Sequence, residues 1–145
     1  MQAAMEEARL AGARDEVPIG AVLVDPASNR IVSQNGNRTL ELADPTGHAE
    51  ILVIREACQI AEKQRIPGFD LYVTLEPCTM CAAAISFARI RRLVFAAPDI
   101  KGGGILHGAR FFDQPTCHHK MTIDHGLMAE ESAEILRNYY KGKRL

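Results

Sequence analysis

The sequence has no excess of positive charge: 17 lysines and arginines stand against 18 aspartates and glutamates, for a net charge of −1. That excludes a uniformly basic coat for nucleic acid, although not a local basic patch. It has no long apolar run. The stretches Ile19 to Val24 and Ala82 to Ala88 fall far short of the roughly 20 residues that a membrane-spanning helix needs, and no membrane partner is expected. Met1-Gln2-Ala3-Ala4-Met5-Glu6-Glu7 lacks a basic segment followed by an apolar core, so no secretory leader is expected. Internal repeats and low-complexity segments are missing as well. Cysteine is scarce, with four in 145 residues. Two of these, Cys78 and Cys81, have the C-x-x-C spacing of a metal or redox pair and not the pattern of a secreted disulfide framework. A reducing, cytoplasmic setting is the expectation.

What is present suits one domain, 1–145, with one sizeable core: 47% of residues are apolar and 24% charged. Met1, Ala4, Met5, Ala8 and Ala11 recur at helical spacing and predict a helix over Met1 to Ala13. Val17 to Val24 and Ile31 to Gln34 read as strands of a hairpin about the turn Asp25-Pro26-Ala27-Ser28-Asn29. Pro18 and Gly20 are unusual inside a strand. Two readings are open: an edge or bulge, or backbone that approaches a ligand. Asp44-Pro45-Thr46 predicts a helix start with Thr46 as N-cap. The helix from about Gly47 to Gln64 should bury Ile51, Ile54, Ala57, Cys58 and Ala61. Leu71 to Leu75 is a strand that Pro77 ends. Thr79 to Ala88 is a helix apolar nearly all round, expected to be buried. Arg92 to Ala97 and Met121 to Asp124 are further strands, Lys101-Gly102-Gly103-Gly104 a flexible connection, and Met128 to Tyr140 an amphipathic helix. This order predicts an α/β fold: a three-layer α/β/α arrangement about a five-stranded mixed sheet.

Two stretches carry the chemistry. His48-Ala49-Glu50 and Pro77-Cys78-Thr79-Met80-Cys81 each stand at a predicted helix start, and such junctions converge at one edge of an α/β sheet. His48, Cys78 and Cys81 are three ligands of the kind zinc takes, leaving a fourth tetrahedral position open. A neutral imidazole and two thiolates would balance one Zn2+. Glu50 is not needed as a ligand. On an ideal helix it would point away from His48, so both face a metal only if His48 sits in an irregular first turn. Glu50 is then the candidate catalytic residue, moving a proton from water to a leaving amine in hydrolytic deamination. Pro-Cys-x-x-Cys alone is equally compatible with a structural zinc knuckle or a redox pair. The His-x-Glu partner speaks against both.

The chain resembles the cytidine deaminase-like superfamily, whose nucleobase deaminases carry the H-x-E…P-C-x-x-C signature. More narrowly it is similar to the bacterial tRNA-specific adenosine deaminases. The matching strings include Glu16-Val17-Pro18-Ile19-Gly20-Ala21-Val22, Gly36-Asn37-Arg38, Asp44-Pro45-Thr46-Gly47-His48-Ala49-Glu50 and Thr74-Leu75-Glu76-Pro77-Cys78-Thr79-Met80-Cys81. The resemblance implies a cytidine deaminase-like fold and one Zn2+ per subunit on His48, Cys78 and Cys81, with no organic cofactor. It implies Glu50 as proton shuttle and conversion of the wobble adenosine of an arginine tRNA, anticodon ACG, to inosine. It also implies a homodimer that binds the tRNA anticodon stem-loop, with Asn37 bonding the flipped base and the backbone at Pro18 and Gly20 lining its pocket. Asp99 and Lys101 would lie near the anticodon backbone.

Other residues bear on the substrate. Arg137, Lys141, Lys143 and Arg144 make a basic tail suited to phosphates or simply to solvent, and Arg89, Arg91 and Arg92 a second cluster. Tyr139 or Tyr140 either stacks on an anticodon base or packs its helix. His119 is expected to touch substrate or a dimer interface, while His107 and His125 are read as ordinary packing or surface residues. Gly47 departs from the Ala common in the tRNA enzymes, and a smaller residue beside the pocket would alter base fit. A free-base deaminase, guanine above all, is the alternative, and a non-catalytic zinc-stabilised binding domain a third.

Overall fold

A computed structural model describes residues 1–143; Arg144 of the basic tail lies outside the described residues. The helices are α1 (Gln2–Ala13), α2 (Ala49–Ala61), α3 (Thr79–Ala88) and α4 (Ala129–Lys143), and the strands β1 (Gly20–Asp25), β2 (Arg30–Gly36), β3 (Asp70–Leu75), β4 (Arg92–Ala97) and β5 (Thr122–His125). The strands form one sheet in the order β2-β1-β3-β4-β5. β1 runs antiparallel to β2 and β3, while β3, β4 and β5 are mutually parallel. This is the mixed five-stranded sheet that the sequence pattern predicts.

Strand alternation explains the layers. Ala21 and Leu23 of β1, Leu71 and Val73 of β3, and Leu93 and Phe95 of β4 join Val53, Ala57, Ala82 and Ile85 in one buried cluster beneath α2 and α3. Each fully buried Leu, Ile or Phe there contributes about 1.5–3 kcal/mol. α1 packs on β1 and β2 and also touches α4, which lies over β3 and β4. Ala4, Met5, Ala8 and Ala11 are the buried residues of α1, as its helical stripe predicts.

Several local expectations need correction. β1 begins at Gly20, not Val17. Pro18 has no N–H to offer a ladder, and the Ile19 N–H turns back to the Val17 carbonyl at 2.8 Å. β1 is an inner strand, not an edge, and its ladder irregularity lies between Leu23 and Val24. α2 begins at Ala49 with His48, not Thr46, as N-cap, because Thr46 spends its N–H and hydroxyl on Asp44 Oδ1 at 2.8 and 2.7 Å. It ends at Ala61, where Glu62 takes a left-handed backbone (φ 54°). Its stripe includes Val53, while Ile51, Cys58 and Ala61 are only partly buried. α3 is covered on one side only: Phe87 is 72% exposed.

Gly20 explains how closely α1 lies on the sheet. A Cβ there would overlap the Ala4 carbonyl oxygen and stand 2.6 Å from Ala8 N. Both are helix backbone, which yields little. Gly20→Ala should therefore cost about 3 kcal/mol, read as a lower urea midpoint with an unchanged m-value.

Candidate active site

The site forms where α2 and α3 begin, beside the C-terminal end of β3. His48 (φ −73°, ψ 151°) and Cys78 (φ −70°, ψ 173°) are both extended N-cap residues. Because His48 is not yet helical, its side chain and that of Glu50 reach the same place, as the irregular first turn requires. His48 Nδ1 lies 3.7 Å from Cys78 Sγ and 3.5 Å from Cys81 Sγ. All three donor atoms lie within 4.8 Å of one another.

These separations test the donor set against zinc. Bonds of about 2.3 Å to sulfur and about 2.0–2.1 Å to nitrogen, at tetrahedral angles, set N···S edges at about 3.6 Å. The two observed N···S distances fit that edge. Two sulfurs at the start of a helix also lie where its dipole favours thiolate. Hydrogen bonding with Cys81 pulls the Cys78 thiol down to about 4, and the same interaction, with burial, pushes Cys81 up. The hydrogen bond with Cys78 raises His48.

Glu50 is 4% exposed and accepts a bond from Cys81 Sγ at Oε2, 3.0 Å away. Burial raises its pKa, against the pull of that bond. The carboxylate faces a cleft of about 1120 Å³ whose lining includes Asn37, His48, Glu50 and Cys78. Asp99 and Lys101 border it from the loop after β4, and Arg137, Tyr140 and Lys141 from α4. Asn37 is buried; its Nδ2 donates to Thr39 Oγ1 at 3.3 Å, and its carbonyl accepts from Arg14 at 3.2 Å.

The remaining residues singled out by sequence lie elsewhere. Val17 and Ile19 line the cleft, whereas Pro18 and Gly20 between and beside them do not. The Tyr139 hydroxyl donates to the Asp15 carbonyl at 3.4 Å, and Lys143 pairs with the Asp15 carboxylate at 2.5 Å. His119 Nε2 donates to the Ile90 carbonyl at 2.6 Å, beside Arg65, Arg89, Arg91 and Lys120 in a second concavity. Ile90 precedes β4 and the zinc donors stand past the end of β3, so a strand length of roughly 17–20 Å separates His119 from the cleft. Arg91 and Arg92 are paired with Asp70 and Asp124. His125 stacks on Phe95 at 5.3 Å.

Glu76 is the residue that sequence reasoning missed. It is 2% exposed, and backbone N–H groups and His107 all converge on its carboxylate. Burial would raise its pKa, but these bonds outweigh it and hold the group below the ordinary range. The available signal was an acid directly after an apolar strand and just before Pro77-Cys78. His107, read as an ordinary residue, is part of that network. Gly47 is not among the residues lining the cleft, and a Cβ on it would stand 3.2 Å from the Asp44 carbonyl oxygen and 3.5 Å from the Arg38 backbone.

Comparisons with known proteins agree with this geometry. The profile for the cytidine and deoxycytidylate deaminase zinc-binding region matches residues 1–97. A tRNA-specific adenosine deaminase of Agrobacterium fabrum is 62% identical over all of this chain and 94% of its own. A solved structure from studies of A-to-I editing by tRNA:A34 deaminases at the wobble position of transfer RNA is similar at TM-score 0.91 and 63% identity, covering 94% of this chain and 97% of that one. Guanine deaminase from Nitrosomonas europaea shares the fold at TM-score 0.83 and 22% identity, covering 95% and 81%.

Two outcomes follow. Cys81→Ala should weaken zinc binding by more than the roughly 10–100-fold that outer partners of a metal site cost, measured by competition with a chelator. Gly47→Ala should change stability by less than about 1 kcal/mol and leave base preference as it was, measured by thermal melts and by turnover of adenine- and guanine-containing substrates.

Proposed function

The chain belongs to the tRNA-specific adenosine deaminases, within the cytidine deaminase-like superfamily, and from that premise we propose that it converts adenosine 34 of an arginine tRNA, anticodon ACG, to inosine. The observation that carries the proposal is a zinc-compatible His48, Cys78 and Cys81 set with the buried Glu50 carboxylate beside it, at the floor of a cleft bordered by cations. Adenosine and water become inosine and ammonia. The wobble base leaves its stack to enter the cleft. Asn37 holds the base edge through its side-chain amide. Zinc, when bound by His48, Cys78 and Cys81, supplies the Lewis acidity that brings the pKa of water from about 15.7 to roughly 7. A Glu50 carboxylate oxygen takes the proton from the attacking water and delivers it to the departing amine. Burial of Glu50 suits this role, because few other groups compete for the proton.

Lys101, Arg137 and Lys141 border the cleft and suit the phosphates on either side of a flipped nucleotide. Tyr140, half-exposed on the same border, offers a face on which a neighbouring base stacks. The active species is a homodimer of one-domain subunits, a reading supported by the exposed Phe87 on α3. It works in the cytoplasm, consistent with four free cysteines, two of them at the metal site.

The test is incubation of zinc-loaded protein with an anticodon stem-loop bearing adenosine at position 34, and separately with guanine, adenine and cytosine. Inosine in the RNA without free-base turnover is expected. Turnover of guanine alone overturns the proposal, and no turnover on any substrate marks a binding domain. Glu50→Gln should keep its zinc and lose about 10²–10⁴-fold in kcat.

A further inference from the structure

Glu76 directly follows β3, which ends at Leu75, and precedes Pro77 and the metal-site residue Cys78. Its side chain is fully shielded from solvent, and although Glu76 is among the residues that line the cleft, both of its carboxylate oxygens are engaged by the protein's own donors. One oxygen, Oε1, accepts the Asp99 N–H at 3.1 Å and the His107 imidazole Nδ1–H at 2.8 Å. The other, Oε2, accepts the N–H groups of Ile105, Leu106 and His107 at 3.1, 3.0 and 3.2 Å. One carboxylate therefore gathers both ends of the 99–107 loop. Successive N–H groups converging on one anion make the concavity that elsewhere binds phosphate, and here the protein supplies the anion itself.

The loop is built to fit that carboxylate. A Cβ on Gly103 would overlap Glu76 Oε2, and one on Gly104 would stand 2.6 Å from Thr79 N, the first residue of α3. The Gly104 N–H donates to the Pro77 carbonyl at 2.8 Å. The glycine run, a flexible connection by sequence, is thus packed against the start of the metal-bearing helix. Within the loop, the Asp99 carboxylate accepts the N–H groups of Lys101 and Gly102 at 3.2 and 3.0 Å. The same segment, at Pro98, Asp99, Lys101 and Gly102, forms part of the cleft wall.

We propose that Glu76, with His107, is a positioning residue that holds the 98–102 wall of the cleft in register with the metal site, so that RNA phosphates meet a preformed loop. This rests on the deaminase reading. Binding that requires no ordering of the loop keeps the entropy that a mobile loop would lose. Lys101 stands on the cleft wall and is neither a metal-site donor nor the proposed proton carrier, so loss of its placement should weaken substrate and transition state alike.

The experiment compares wild type with Glu76→Gln and His107→Ala, both zinc-loaded and full length. Hydrogen exchange is followed at the 99–107 amides, zinc content is measured, and kcat and KM are determined on the adenosine-34 stem-loop. Glu76→Gln keeps the size of the side chain but places an amide where N–H donors point. It should lose protection across 99–107 and raise KM at least about tenfold, with kcat within about threefold and zinc retained. His107→Ala should move KM the same way by a smaller factor, and it carries the test if Glu76→Gln does not fold. Unchanged loop protection overturns the proposal. So does a fall in kcat or zinc content at constant KM, which would make Glu76 a support for the metal site alone. If wild type acts on guanine and not on RNA, the function proposal fails, while the exchange data still decide whether Glu76 holds the loop.

Discussion

His48 and Cys78 are each the N-cap of a helix, and the metal-site donors meet only because those two helices begin side by side at the same end of the sheet. Much of the molecule serves that constraint. β3 delivers Cys78 to the sheet end, and the buried apolar cluster under α2 and α3 fixes the position of the two helices. An N-cap has extended backbone, so its side chain is free of the helical period. That freedom is what lets the side chains of His48 and Glu50, two positions apart, both reach Cys81 Sγ.

Two buried carboxylates border this centre and solve desolvation in opposite ways. Glu76 is surrounded by donors, so its ionised form is favoured and it works as a fixed anion that orders backbone. Glu50 has the Cys81 thiol as its side-chain partner, and burial prevails. A carboxylate with few partners and an open cleft in front of it is the kind that exchanges protons. A single acidic residue type thus meets two opposite environments within one small region, and the difference lies in the number of N–H groups that reach each.

The charges follow a similar division. The chain as a whole is near neutral, yet Lys101, Arg137 and Lys141 gather at the cleft. Other cations are spent on structure: Arg91 on Asp70, Arg92 on Asp124 and Lys143 on Asp15. Arg137 is also paired, with Glu130 at 2.6 Å, on an exposed surface where such a pair is worth little and a phosphate can compete for it.

The sheet, the helix order and the metal-site set were legible in the sequence, because each rests on short-range chemistry: apolar periodicity, the ligand preferences of zinc and the spacing of C-x-x-C. Pro18 and Thr46 misled because their effects depend on which backbone lies opposite. A proline before a strand reads like one within it until the ladder is known. Thr46 is a good cap by type, but Asp44 had already taken its donors. Glu76, His107 and the glycines at 103 and 104 were illegible for the same reason. Their meaning lies in contacts between residues more than twenty positions apart, and a carboxylate before Pro-Cys looks alike whether it faces solvent or a ring of N–H groups. The sequence alone determined the chemistry available and the elements that carry it. Tertiary structure decided which polar groups share a buried volume, since that depends on packing that closes far-separated segments onto one another.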